Sequence, residues 1–122
     1  MLLGVDYGTK YIGLAIADQQ IKIAHPYLVL ENKGRDFVLK ELQKIIAKEK
    51  ITKIVVGRPI GLSGRITEQA KITDEFIKFF KKNLSIPVEG FDERFTSKMS
   101  EGEHSGAAAI ILQDYLDKVN KI

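Results

Sequence analysis

One α/β domain built on a mixed sheet is the fold this sequence predicts, and two observations carry the prediction. Three short apolar runs follow one another closely at the start of the chain, the spacing of an antiparallel meander. Beyond them, amphipathic stretches of helical period alternate with short buried runs. That alternation is the pattern of strands paired in parallel through right-handed helical crossovers.

Each element has its own signal. Leu2 to Val5 is the first apolar run, ending in Asp6 and followed by Gly8. Tyr11 to Ala17 (YIGLAIA) is the second, closed by Asp18-Gln19-Gln20. Lys22 to Leu30 is the third; Pro26 interrupts it and, having no N–H for a ladder, marks an edge strand or a bend. From Gly34 to Glu49 the period changes. Val38, Leu42, Ile45 and Ile46 recur at three- and four-residue steps while Lys40, Lys44 and Lys48 take the other face, which makes an amphipathic helix. Lys53 to Gly57 reads as a buried strand, with Arg58-Pro59 opening a loop through Gly61, Ser63 and Gly64. A second helix carries Ile66, Ala70, Thr73, Ile77, Phe80 and Leu84 on one face. Val88 to Phe91 is the last strand, running into Asp92-Glu93-Arg94, and Ala107 to Val119 the last helix, with Ala108, Ile111, Leu112, Tyr115 and Val119 inward. The order is β-β-β-α-β-α-β-α. No repeat, linker or low-complexity tract interrupts it, so residues 1–122 are expected to form a single domain.

Composition narrows the chemistry. The 122 residues are 44% hydrophobic and 29% charged, which suits one core. Nineteen Lys and Arg against sixteen Asp and Glu leave +3, a surplus that permits nucleic-acid binding without announcing it. The absence of cysteine excludes disulfides, thiol catalysis and Cys-ligated zinc, and the two histidines, His25 and His104, are too few for a structural zinc site. His25, beside Pro26, is expected to be structural. The opening MLLGVDYG lacks a basic leader segment and no run approaches membrane-spanning length, so the expectation is a cytoplasmic protein without membrane contact.

The acids at strand ends need explaining. Asp6 closes a run that should occupy the sheet centre, where an unpaired carboxylate is costly. It is either a turn residue bonding backbone N–H groups or a ligand for metal or phosphate. Asp92 and Glu93 close a second buried run: either a surface turn paired with Arg94, or the other wall of a cleft outside the strands' carboxyl ends, where α/β sheets gather ligands. A cluster of carboxylates there suits magnesium, which takes a few protein oxygens and leaves positions for phosphate. Two such ions would stabilise both the attacking and the leaving oxygen of a phosphodiester.

Four segments also resemble a known family. VDYGTKYIGLAIAD at 5–18, VGRPIGLSGRITEQA at 56–70, DERFTS at 92–97 and AAAIILQDYLD at 107–117 are similar, in order, to the YqgF (RuvX) family. That resemblance implies a ribonuclease H-like three-layer fold, a mixed five-stranded sheet with helices on both faces. It also implies a magnesium- or manganese-dependent nuclease acting on structured nucleic acid, in 5′-end processing of the small-subunit ribosomal RNA precursor, or alternatively a Holliday-junction resolvase. The family's first carboxylate falls on Asp6, and the acid of its DER motif on Glu93, with Asp92 beside it. Its third acid precedes the last helix, where this chain has His104. The 98–106 connection, KMSEGEHSG, is also shorter and more acidic than the family's. The metal set implied is thus Asp6, Glu93, Asp92 and His104, with Glu101 or Glu103 as alternatives to the histidine and a catalytically impaired binding module as the alternative function. Asp114, ten residues into the helix and so about 15 Å along its axis, is not expected to substitute. Lys10, Arg58, Arg65 and Arg94 flank the strand-end loops and are candidates for phosphate contacts, Lys10, Arg58 and Arg94 above all. The expected partner is a structured RNA precursor or branched DNA, met by a monomer or weak homodimer.

Overall fold

The computed structural model describes residues 1–60, 67–93 and 104–119, apart from the side chains of His104 and Ser105. Eight elements follow in the expected order: β1 (Leu2–Asp6), β2 (Tyr11–Ala17), β3 (Ala24–Glu31), α1 (Arg35–Glu49), β4 (Lys53–Pro59), α2 (Glu68–Asn83), β5 (Val88–Glu93) and α3 (His104–Val119). The strands form one sheet in the order β3-β2-β1-β4-β5. β1 pairs antiparallel with β2, and β2 with β3, while β1, β4 and β5 run parallel. This is the ribonuclease H-like α/β arrangement the resemblance implies. Among the described residues, no helix is long and apolar enough to cross a membrane.

Alternation along the strands divides the core in two. Leu3 and Val5 of β1, Ile12 and Leu14 of β2, and Ile54 and Val56 of β4 pack against Val38, Leu42, Ile45, Phe76, Ile77 and Phe80 of α1 and α2. The opposite face offers Leu2, Ala15, Ala17 and Val55 to Ala108, Ile111, Leu112, Tyr115 and Leu116 of α3. That second face is floored by small residues, and α3 presses close upon it. A Cβ at Gly57 would stand 2.4 Å from Ile111 Cδ1, and one at Gly4 2.8 Å from Leu112 Cβ.

The helix ends are set locally. Lys50 closes α1 in the left-handed conformation, its N–H bonded to the Ile46 carbonyl. Thr67 caps α2: its hydroxyl accepts from the Ala70 N–H at 3.1 Å and donates to the Pro59 carbonyl at 3.2 Å, tying the helix start to the end of β4.

Several boundaries differ from expectation. β4 does not give way to a loop at Arg58 but continues to Pro59, because Arg58 and Pro59 stay in register with Asp92 and Glu93 of β5. Pro26 does lie in an edge strand, opposite Ala15, where the β2–β3 register shifts. His25 beside it is exposed rather than structural. The last helix begins at His104, three residues before Ala107, and Val119 at its end is 57% exposed instead of inward. Phe76 and Phe80 are buried while Phe79 is only half-buried. Ile66 lies outside the described residues.

Candidate active site

The three parallel strands end on one side of the molecule, and Asp6 and Glu93 are the last residues of two of them. The turn after Asp6 is held from two directions. Asn32, beyond β3, donates from Nδ2 to the Gly8 carbonyl at 2.9 Å and to Tyr7 Oη at 3.2 Å. Gln69 of α2 donates to the Tyr7 carbonyl at 3.2 Å, and the Tyr7 ring packs on Phe76 with centroids 4.0 Å apart. Gly8 permits the turn's tightness, since a Cβ there would fall 2.3 Å from the Tyr11 carbonyl oxygen. Asp6 therefore sits on a braced backbone. It shares the sheet face of Gly4, two residues before it, which is the α3 face.

Glu93 lies on that face too. Two and four residues before it, Phe91 stands edge-on to Tyr115 of α3, and Glu89 pairs with Lys53 at 2.7 Å. The Glu93 carboxyl meets an acid: it is pushed up to about 7, first by burial and then by a hydrogen bond with Asp114 and that residue's charge, with Lys118 acting in the opposite direction. Burial and a neighbouring acid both disfavour the ionised form of Glu93. Around them Phe91, Asp92, Glu93, Asp114, Asp117 and Lys118 line an open cleft of about 370 Å³.

Asp114 is thus the functional candidate that counting along the helix missed. Rise along the axis measures distance from the helix start, but α3 crosses the sheet, and its flank meets the end of β5 at mid-length. Tyr115 and Lys118 against Phe91 mark that crossing.

Asp92, expected beside Glu93 in one metal set, points elsewhere. Consecutive strand residues face opposite ways, and Asp92 turns to the α2 face, where its carboxylate takes Nη1 of Arg58. Arg58 also grips Asp74 of α2, Nε to Oδ1 at 2.6 Å and Nη2 to Oδ2 at 3.1 Å. Both acids hold the guanidinium protonated still more firmly than usual, Asp74 contributing most. Gly90 makes room for this clamp, because a Cβ there would lie 2.8 Å from Arg58 Cδ. Arg58, expected among the phosphate contacts, is therefore spent on two carboxylates and joins β4, β5 and α2.

Lys10 is exposed in the braced turn, four residues from Asp6. His104 opens α3 one turn before Ala108, whose carbonyl is 3.1 Å from the position of a Gly4 Cβ, so the helix enters over the end of β1 that carries Asp6. Arg65, Arg94, Glu101 and Glu103 lie outside the described residues. Asp6 and Glu93 are separated by β4 and by two positions of register, about 12 Å between Cα atoms for ordinary sheet spacings. Among the described residues no three His, Asp or Glu side chains gather closely enough to hold an ion by themselves.

A family model described as "RuvX: Holliday junction resolvase" matches residues 1–118. The chain belongs to the RuvX family. Two relatives with the name "Putative pre-16S rRNA nuclease" agree with this. One, from Rickettsia africae, is 30% identical over 99% of this chain and 88% of its own length. The other, from Maridesulfovibrio salexigens, is 35% identical over 94% of this chain and 96% of its own. Among solved structures, T. thermophilus RuvC in complex with Holliday junction substrate superposes with a TM-score of 0.62 over 97% of this chain and 94% of that one, at 10% identity. At that identity the likeness is one of fold. Within the RuvX fold, then, the acids Asp6, Glu93 and Asp114 share the α3 side of the sheet's carboxyl edge.

Proposed function

We propose that this RuvX protein is a metal-dependent nuclease acting on structured nucleic acid, in 5′-end processing of the small-subunit ribosomal RNA precursor. The observation that carries the chemistry is the contact of Glu93 with Asp114 at the end of β5, on the face that also presents Asp6. The names of the relatives support the substrate. Asp6, Glu93 and Asp114 offer only oxygen donors, which hard cations such as magnesium and manganese select. The raised pKa of Glu93 beside a second acid marks a place where positive charge is wanted. A divalent ion there would supply Lewis acidity toward the phosphodiester. Asp6, on its braced turn at the same edge, would join that ion only if Glu93 and Asp114 close toward it, because the described acids do not gather around one point. Lys10 would draw a phosphate toward the same edge. His104, an imidazole in place of the family's third acid, brings no carboxylate charge to the site and favours manganese over magnesium.

Cleavage of a precursor carrying the 5′ end of the small-subunit RNA, with and without added manganese, tests the reading. Wild-type protein should cut, and Asp6→Asn should keep its melting temperature while losing cleavage at least a hundredfold. Metal-dependent cutting by Asp6→Asn at the wild-type rate defeats the ligand role. A four-way DNA junction run in parallel addresses the resolvase reading, which the family description favours. Binding of either substrate with no cleavage under any metal would assign an impaired binding module instead.

A further inference from the structure

A cavity of about 570 Å³ lies away from the strand ends, between α1 and α2, on the opposite face of the sheet from α3. It is lined by Arg35, Glu75, Lys78, Phe79, Lys82 and Asn83. Arg35 lays its guanidinium over the Phe79 ring, 4.8 Å from the centroid. Among the described residues neither Arg35, Lys78 nor Lys82 has a carboxylate in salt-bridge range. Glu75 offsets one of the three cations, leaving a local surplus of two in a chain whose whole surplus is three.

We infer that this groove is a docking site for an unpaired strand of nucleic acid, with Lys78 and Lys82 on successive phosphates and the Arg35 guanidinium stacked between Phe79 and a base. Lys78 and Lys82 are one turn apart on α2, about 6 Å along the axis, a step of the order of the phosphate repeat in an extended strand. An arginine fixed by its face on a ring keeps its outer face for a base and its edge N–H groups for phosphate. A depression between two helices admits a single strand, whereas a duplex, convex and stiff, touches only its rim. The Arg35 end of the groove lies toward the strand-end edge of the sheet, on the face opposite α3. Arg35 opens α1 three residues after Asn32, which bonds the Gly8 carbonyl in the turn behind Asp6. A strand leaving the strand-end acids reaches Arg35 by passing over that edge of the sheet from the α3 face, and then runs down α2.

This inference rests on the nuclease reading for its ligand class, and its test separates the two. The probe is a short fluorescein-labelled oligouridylate, its binding followed by anisotropy across a salt series. Removing both lysines in Lys78→Ala/Lys82→Ala should lower the log–log salt slope by about 1.4, equivalent to about 25-fold weaker binding at 0.1 M salt if affinities converge at 1 M. The charge-matched Lys40→Ala/Lys48→Ala, on the exposed side of α1, should leave the slope within about 0.3 of wild type. Arg35→Lys should keep the slope and lose affinity severalfold, since the charge stays and the stacking plane goes. Cleavage of a substrate without an unpaired flank should be unchanged in all three variants. Equal losses in both lysine pairs, an unchanged slope in Lys78→Ala/Lys82→Ala, equal loss of binding to a blunt duplex, or no binding by wild type would each overturn the groove. If the groove variants behave as expected while Asp6→Asn alters no cleavage, the groove stands and the nuclease reading falls.

Discussion

A carboxyl held near neutrality by burial and by a second acid, as Glu93 is by Asp114, links folding, pH and cation uptake in one residue. Its folded value of about 7 lies above the ordinary 4.5, so between those values the folded chain keeps a proton the unfolded chain has released. Stability attributable to this pair is greatest below pH 4.5 and falls as pH rises through 7. Melting curves from pH 5 to 8 should show that decline, and manganese should reverse it, with a thermal shift that grows with pH as the proton gives way to the ion. Asp114→Asn should flatten the decline only in part, because burial, the larger cause, remains. A thermal shift independent of pH would remove Glu93 from the ion site. At His104, an imidazole in place of an acid predicts manganese preference. His104→Asp should restore cutting with magnesium, and His104→Ala should erase the manganese preference. Unchanged metal preference in both variants would show that the imidazole takes no part.

Strands and helices decide which charges are available. Period-two alternation sends Asp92 and Glu93 to opposite faces, so a doublet that reads as one acidic site serves two purposes: Glu93 faces α3, and Asp92 closes the clamp on Arg58. Alternation was legible in the sequence; the identity of the partners was not, since Asp74 lies sixteen residues and Asp92 thirty-four residues from Arg58. Arg58→Ala leaves Asp74 and Asp92 facing each other without a cation. It should cost about 1–2 kcal/mol in urea unfolding, the low end for a forked pair because both acids are partly solvated. Adding Asp74→Asn should recover part of that loss. Because the guanidinium is already engaged, Arg58→Ala should leave the salt slope of nucleic-acid binding within about 0.3 of wild type. A slope lower by about 0.7 or more would return Arg58 to the phosphate-binding set.

At the scale of the molecule, a surplus of three charges cannot blanket a polyanion, so binding must come from local patches. Structured RNA should bind weakly, with a log–log salt slope of about −2 to −4, the mark of a few phosphate contacts. Salt-independent affinity would count against any nucleic-acid surface. The sequence by itself determined the element order, the antiparallel meander, the parallel second half and the strand-end placement of Asp6 and Glu93. Each depends on periodicity and on turn residues that act within a few positions of the chain. Its ordered motifs also carried the family, since Asp6, Gly8 and the 92–94 triplet stand in the right order for it. Only the tertiary structure decided that Asp114 meets Glu93, that Arg58 is consumed by Asp74 and Asp92, and that Arg35 lies on Phe79 beside Lys78 and Lys82. Those pairings depend on how α3 crosses a sheet floored by Gly4 and Gly57, and on how α1 and α2 part above its other face. Crossing and separation are set by packing between residues far apart in the chain, and no local pattern records them.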